Sequence, residues 1–269
     1  MPPTRIGSAR SQLKIATFNI NNINKRLPNL LAWLKRAKPD VACLQELKCE
    51  TGAFPEQSLA RAGYHAAWEG QKSWNGVALL ARSRLIVTRR FLPGDPKDQQ
   101  ARYIEAAING ILIASLYMPN GNPQPGPKFD YKLAWMKRFA RHAATLKRKG
   151  VPVVLAGDFN VAPTETDIYP TKSWEKDALV QPEPRKAFAK LTETGWTDAI
   201  RSLNPDKRIY TFWTYWRNRY EQDRGLRLDH VLLSAQLQPR LLKGGVDRKV
   251  RAESNASDHA PVWIEISGS

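Results

Sequence analysis

The stretch RYIEAAINGILIASLY, residues 102–117, reads as two strands and the turn between them. Its apolar runs, 102–108 and 111–117, flank Asn109-Gly110. Both residues of that dipeptide accept positive φ, so they close a two-residue hairpin whose twist matches the strands. At least part of the sheet structure is therefore antiparallel. Similar short, β-branched runs recur along the chain: LKIATFNI (13–20), DVACLQE (40–46), NGVALLA (75–81), LIVTRRF (85–91), VPVVLAG (151–157), RLDHVLLS (227–234) and APVWIEI (260–266). Several are apolar almost throughout, which fits strands buried on both faces.

Helical periods lie between these strands. In PNLLAWLKRAK (28–38), Leu30, Leu31, Leu34 and Ala37 share a face, and Pro28 stands where a first turn tolerates it. Segment 128–149 aligns Phe129, Leu133, Met136, Ala140 and Ala143 on one side, with Lys137, Arg138, Arg141, Lys147 and Arg148 on other faces, and Gly150 stops it. PEPRKAFAKLTETG (182–195) is a shorter helix ending at Gly195. The Pro/Gly-rich stretches 92–98 and 118–128 read as loops, since regular structure resumes at once. Alternating helices and strands with mixed pairing give an α/β layered class.

Composition sets the outer bounds. The chain has 269 residues, enough for a substantial core, with no internal repeat. Residues 1–12 read as a short disordered basic tail and 13–269 as one domain. Forty-two Lys plus Arg against 25 Asp plus Glu leave a net charge of +17, which attracts polyanions and argues weakly against small phospholipid or inositol substrates. Charge alone is equally compatible with a generically basic protein. Two cysteines, Cys43 and Cys49, fit neither a zinc knuckle nor a redox pair, so reduced thiols in a cytosolic setting are expected. The first dozen residues lack the apolar core of a secretory leader, and no apolar run is long enough to span a bilayer. A cytoplasmic protein is expected, nucleoid-associated if bacterial, with no membrane partner.

Polar residues gather at strand ends. Asn19 follows LKIATF, Glu46 follows DVACLQ, Tyr117 follows ILIASL, and Asp158 and Asn160 follow VPVVLAG. Asp229 lies within RLDHVLLS, and Asp258-His259 precedes APVWIEI. Taken singly, each has an ordinary explanation: Asn and Asp turn corners by bonding local backbone, and a lone Glu is usually solvated. Taken together, the carboxylates, carboxamides, phenol and imidazole form an oxygen-rich set without Cys. Hard divalent ions take such ligands, whereas structural zinc wants Cys and His. A divalent ion with a base beside it and positive charge around it suits phosphodiester hydrolysis.

Four blocks, LQELK (44–48), GDFNVAP (157–163), RLDHVLLS (227–234) and SDHAPVW (257–263), resemble the ordered signatures of the exonuclease III family of apurinic/apyrimidinic endonucleases, within the endonuclease–exonuclease–phosphatase fold. The resemblance runs from Asn19 to His259, nearly the whole chain. It implies a four-layered α/β sandwich, two mixed β-sheets packed face to face with helices outside. It also implies Mg²⁺ or Mn²⁺ held by Glu46 and Asp258 with Asn19 near, and Asp158 and Asn160 at the ion's edge. By the same resemblance Asp158 activates water, Asn160 steadies the phosphate, and Tyr117 and Asn120 contact it. Asp229 holds His259, and His259 meets the phosphate. Whether Asp158 or the His259–Asp229 pair is the base stays open on general grounds, with Asp158 favoured. Asn21 departs from members that carry an acid there, which bears on metal preference and number.

YTFWTYWRNRYEQDRGLRLDH (210–230) interleaves aromatics with arginines, as a stacking and phosphate-tracking surface would. Its plainer reading puts Phe212 and Trp213 in the core. The resemblance makes Phe212, Leu226 and Leu228 walls of a pocket for a flipped base-less sugar. Arg217, Arg219, Arg224 and Lys72 are the candidate phosphate contacts. The expected partner is double-stranded DNA with abasic or 3′-blocked lesions, cut 5′ to the abasic site by a monomer, with 3′-phosphodiesterase or 3′→5′ exonuclease activity as companions. The competing expectations are a phosphatase or RNase of the same fold, and an inactive basic nucleic-acid-binding module. The clustered carboxylates weigh against the latter, because they repel phosphate unless a cation sits among them.

Overall fold

The computed structural model describes residues 12–268. Twelve strands among these form two six-stranded sheets. The first runs in the order β11 (Leu241–Val246), β12 (Val262–Ser267), β1 (Gln12–Asn19), β2 (Val41–Gln45), β4 (Val77–Ala81), β3 (His65–Glu69). The second runs β5 (Ile86–Arg90), β6 (Tyr103–Ile108), β7 (Ile111–Tyr117), β8 (Val153–Asp158), β10 (Asp229–Leu233), β9 (Thr197–Asp198). Pairs β1–β2 and β7–β8 are parallel and the others antiparallel, so both sheets are mixed. The Asn109-Gly110 hairpin forms as read: Ile108 pairs with Ile111, and both turn residues have positive φ.

Facing sides of the sheets share one core. Ile15, Val41, Val77, Leu79, Val262 and Ile264 of the first sheet meet Ile104, Ile113, Val154, Ala156 and Val231 of the second. Each fully buried Ile, Leu or Val side chain among these is worth about 1.5–3 kcal/mol. The outer faces are covered by helices. Leu30, Trp33 and Leu34 of α1 (Leu27–Ala37), with Leu59 of α2 (Glu56–Arg61), lie on Phe18, Ala42 and Leu44. Trp135, Met136 and Phe139 of α3 (Pro127–Arg148), with Phe188 and Leu191 of α4 (Pro182–Glu193), lie on Leu116, Val153 and Leu155. A short α5 (Ala199–Leu203) follows β9. The layers are α/β/β/α, the four-layered sandwich expected.

Several elements depart from the sequence reading for identifiable reasons. β3, β9 and β11 give no clear apolar run: β9 has two residues, and β11 carries Gly244-Gly245. Most of the expected tail, residues 1–11, lies outside the described residues, but Gln12 already pairs with Ser267. Arg138 is buried, 7% exposed, because Asp98 from the 92–98 loop folds over α3 and pairs with it. Both cysteines are free and buried, and burial pushes their thiols up, Cys49 to about 11. Among the described residues no helix is long and apolar enough to cross a membrane.

Candidate active site

Register places the polar strand ends at one edge of the sandwich. Asn19 closes β1 beside Gln45, so Glu46 follows at the same height. Tyr117 closes β7 opposite Asp158, the last residue of β8. β10 runs antiparallel to β8, so its first residue, Asp229, pairs with that same Asp158. An isolated bridge between Phe212 and His259 brings the C-terminal block to this edge. Residues from both ends of the chain thus meet because three strand pairings share one end.

The side chains form a connected set. Asn19 Nδ2 donates to Glu46 Oε1 and to Asp158 Oδ2, both at 2.9 Å. Glu46 has a φ of 52°, a left-handed conformation unusual for a non-glycine residue, and Lys48 Nζ lies 2.8 Å from its Oε2. Asn160, also left-handed at 47°, donates its backbone N–H to Asp158 Oδ1 at 2.8 Å. Its Nδ2 donates to the Met118 carbonyl at 2.8 Å, and its Oδ1 accepts from Asn120 Nδ2 at 3.2 Å. His259 Nδ1 donates to Asp229 Oδ2 at 2.8 Å, and its Nε2 faces Asp158 Oδ2 at 3.9 Å.

Asp158, Asp229, His259, Asn19 and Asn160 are all buried, so their charges interact strongly. Burial pushes the Asp158 carboxyl up; His259 opposes this, Asp229 and Glu46 add to it, and the net shift is upward. For His259, burial disfavours the imidazolium, but the charge and hydrogen bond of Asp229, then Asp158 and Asp258, outweigh it and hold the ring's pKa up. Glu46 is raised by burial yet ends below its ordinary value, owing to Lys48, the Asn19 and Lys48 hydrogen bonds, and His259. Tyr117 is held well above the phenol range by burial and by the negative charges of Glu46 and Asp158. The phenol therefore stays protonated and able to donate.

Ligand atoms of Glu46, Asp158 and His259 all lie within 4.8 Å of one another. The Glu46 and Asp158 carboxylates supply the oxygen ligands that a hard divalent cation takes, with the Asn19 Nδ2 donating to both. Asp258 stands outside this set of three; its Oδ1 accepts from Asn21 Nδ2 at 2.9 Å. Asp229 Oδ1, by contrast, is buried without a hydrogen-bond partner.

The Endonuclease/Exonuclease/phosphatase family signature matches residues 16–259. This chain belongs to that family. Exodeoxyribonuclease III of Haemophilus influenzae is 34% identical over 266 residues, covering 94% of this chain and the whole of that protein. An AP endonuclease from Archaeoglobus fulgidus superposes with a TM-score of 0.88 at 36% identity, over 94% of this chain and 98% of that one. A variant of the Neisseria 3′ phosphatase NExo, bound to a product DNA hairpin, superposes at 0.90 and 36% identity, over 94% and 99%. The shared fold is thus that of the family's nucleases and phosphatases alike.

Around this family site, the expected DNA contacts divide. Lys72, Arg217 and Arg224 are exposed, while Arg219 is half-buried with its guanidinium 5.2 Å over the Tyr169 ring. Leu226 and Leu228, expected as pocket walls, are buried. They are 0% and 2% exposed, packed with Ile168, Tyr169, Trp213 and Ala260, because Leu226 bridges both Phe212 and Ile168. Phe212 keeps an exposed edge, its ring centroid 4.9 Å from that of His259. Trp213 is core, as the plainer reading held, whereas Trp216 is 72% exposed.

Other site neighbours carried weaker sequence signals. Lys48 Nζ bridges Glu46 and Asn21 Oδ1 (2.7 Å) and lies 5.5 Å from the Trp74 ring centroid; only its place two residues after Glu46 hinted at this. Tyr215 donates to the Ala256 carbonyl at 3.0 Å and accepts from Arg26 at 2.9 Å. A groove of about 630 Å³ leads from Glu46 past Lys48, Trp74, Arg102, Asn120 and Lys128. Its lining combines cations with aromatics, the make-up of a surface that binds polyanions.

Proposed function

We propose that this chain is a DNA-repair nuclease of the exonuclease III kind that hydrolyses the phosphodiester 5′ to an abasic site. The convergence of Glu46, Asp158 and His259 within 4.8 Å, beside the Asn120 and Asn160 carboxamides, carries the reading. Glu46 and Asp158, with Asn19 and Asn160 near and Asp258 completing the shell on substrate binding, would hold Mg²⁺ or Mn²⁺. Such an ion neutralises charge on the phosphate oxygens and lowers the pKa of water. Asp158 takes the proton of the attacking water as the bond from phosphorus to the 3′ oxygen breaks, and the released 3′ oxygen takes a proton from solvent. The imidazolium of His259, oriented by Asp229, meets a non-bridging phosphate oxygen, and Asn160 Nδ2 and Tyr117 hydroxyl steady the developing charge. Exposed Lys72, Arg217 and Arg224 track the duplex backbone.

A second reading, 3′-end processing, is favoured by the burial of Leu226 and Leu228. A 3′-phosphate at a strand end needs no apolar pocket for a flipped sugar. We take residues 13–269 as one domain acting as a cytoplasmic monomer. The test compares duplexes bearing one tetrahydrofuran residue, a recessed 3′ end or a 3′-phosphate, with Mg²⁺, Mn²⁺ or EDTA. Incision 5′ to the tetrahydrofuran that stops in EDTA is expected. Hydrolysis of the 3′-phosphate alone would select the second reading, and turnover of none would leave a binding module.

A further inference from the structure

We propose that Lys132 of α3 is a positioning residue that holds the Asn120 and Asn160 carboxamides where the scissile phosphate must lie. Its ammonium is completely buried and donates to three backbone carbonyls: Asn160 at 2.6 Å, Asn120 at 3.0 Å and Ala178 at 3.1 Å. These belong to three separate segments, the loop after β7, the turn after β8 and the stretch leading to α4. Burying an ammonium without a hydrogen-bonded carboxylate is costly. Burial pushes Lys132 down to about 7, even against the raising influence of Asp158 and Asp177. Space-filling alone would be met by an apolar side chain.

The surroundings are built around this lysine. Gly121 has a φ of 93°, and a Cβ there would come within 2.7 Å of Lys132 Cδ. The backbone between Asn120 and Asn122 thus passes over the lysine stem at a distance only glycine permits. Asn122 extends the tie: its Oδ1 accepts from Ala178 N–H at 2.9 Å, and its Nδ2 donates to Asn120 Oδ1 at 2.9 Å. Asn120 in turn reaches Asn160 at 3.2 Å. An ammonium with three donors satisfies three carbonyls at once, and an apolar side chain of the same length leaves all three unpaired. The two loops would then be free to shift relative to each other. A misplacement on the order of 1 Å at such groups can cost about 10²-fold in rate.

The inference rests on the reading of Asn120 and Asn160 as phosphate-side groups, and its test separates the two. Lys132→Met, Asn120→Ala, Asn160→Ala and the double variant Lys132→Met/Asn120→Ala are compared by single-turnover cleavage of a tetrahydrofuran duplex and by its Kd. Asp229→Asn/Lys132→Met, on the opposite side of the site, serves as the control pair. Lys132→Met should lower the rate at least about tenfold with Kd changed less than about threefold, since backbone tracking lies elsewhere. Its loss should overlap with that of Asn120→Ala and multiply with that of Asp229→Asn. Side-chain amide resonances of Asn120 and Asn160 should shift in Lys132→Met. Wild-type rates in both Asn→Ala variants would refute the phosphate-side reading itself. Losses that multiply in the Asn120 pair, or a wild-type rate in Lys132→Met, would refute the positioning role alone. If Lys132→Met does not fold, Lys132→Gln takes its place, and failure of both to fold assigns Lys132 to the scaffold and overturns the proposal.

Discussion

Asp229 holds His259 from behind: Oδ2 accepts from Nδ1 at 2.8 Å, leaving Nε2 to face Asp158 across 3.9 Å. The pair therefore acts as one unit, the carboxylate fixing the ring's orientation and its charge. Asp229→Asn and His259→Asn should each slow single-turnover cleavage, and Asp229→Asn/His259→Asn should be little slower than His259→Asn alone. A double variant that lost the full product of both single losses would show two independent roles.

Much of this arrangement was legible because its signals are local. Asn109-Gly110 states its hairpin in two residues, and β2, β7 and β8 announce themselves as apolar runs. The four blocks around Glu46, Asp158, Asp229 and His259 identify the site by residue type and order. What was hidden depends on tertiary register. Nothing in the residues near Asp229 shows that it pairs with Asp158, which lies far back along the chain. The resemblance marks Leu226 as a pocket wall, but the burial that follows from its bridge to Phe212 is a matter of register that the sequence does not show. Lys132 carries no signal of its own in the sequence, since its three acceptors come from backbone that periodicity does not reveal.

Glu46 is the acid whose loss should be read through metal rather than DNA. It sits below its ordinary value, so it is ionised and ready as an oxygen ligand. Glu46→Gln should raise the Mg²⁺ or Mn²⁺ concentration for half-maximal rate at least about tenfold. Binding of abasic duplex in EDTA should change little, or tighten as one negative charge is removed. An unchanged metal requirement would take Glu46 out of the ligand set.

The basic surface makes a salt prediction. Lys72, Arg217 and Arg224 are exposed on the loops that carry Trp74 and Trp216, and both tryptophans are 72% exposed. Replacing any one of these cations with Ala should flatten the dependence of log affinity on log salt by about one unit. Trp216→Ala should weaken DNA binding by about 1–3 kcal/mol without altering that slope, if the indole stacks on a base. A slope unmoved by the cation variants would place the duplex elsewhere on the surface.

Stability in acid should depend on Glu105, buried between α3 and the second sheet. It accepts from Thr88 Oγ1 and the Tyr103 hydroxyl, each at 2.7 Å, and its Oε2 lies 3.0 Å from His142 Nε2. Burial raises this carboxyl, but the hydrogen bonds from His142, Thr88 and Tyr103 outweigh it and lower it from 4.5 to about 2. The folded state then binds fewer protons than the unfolded state between those values, so its contribution is complete above the upper one and is lost on descent to the lower. Urea denaturation at neutral pH should show Glu105→Gln less stable by about 1.5–3 kcal/mol. The gap to wild type should close as pH falls from about 4.5 toward about 2. A gap that stayed constant across this range would mean the carboxylate's charge is not what the cluster recognises.

Asp158 gives the decisive variant, because Asn keeps its shape and removes its charge and basicity. In the structure Asp158 accepts from Asn19 Nδ2 and from the Asn160 backbone N–H, at 2.9 and 2.8 Å. Asn at this position retains an acceptor oxygen for the backbone N–H, so the Asn160 turn should survive. Its Nδ2 would point toward Asn19 Nδ2, and Asn19 cannot flip without losing its bonds to Glu46 and to the Asn21 N–H, so a local donor clash remains. Abasic DNA should bind Asp158→Asn as tightly as wild type or more so, since one negative charge facing the phosphate is gone. Turnover should collapse: loss of a positioned general base costs about 10²–10⁴-fold, and weakened ion binding adds to this. The two losses separate by metal titration, because saturating Mn²⁺ should recover the second and leave the first. If instead saturating Mn²⁺ restored the wild-type rate, Asp158 would be a ligand only, and the proton would go to the His259–Asp229 pair.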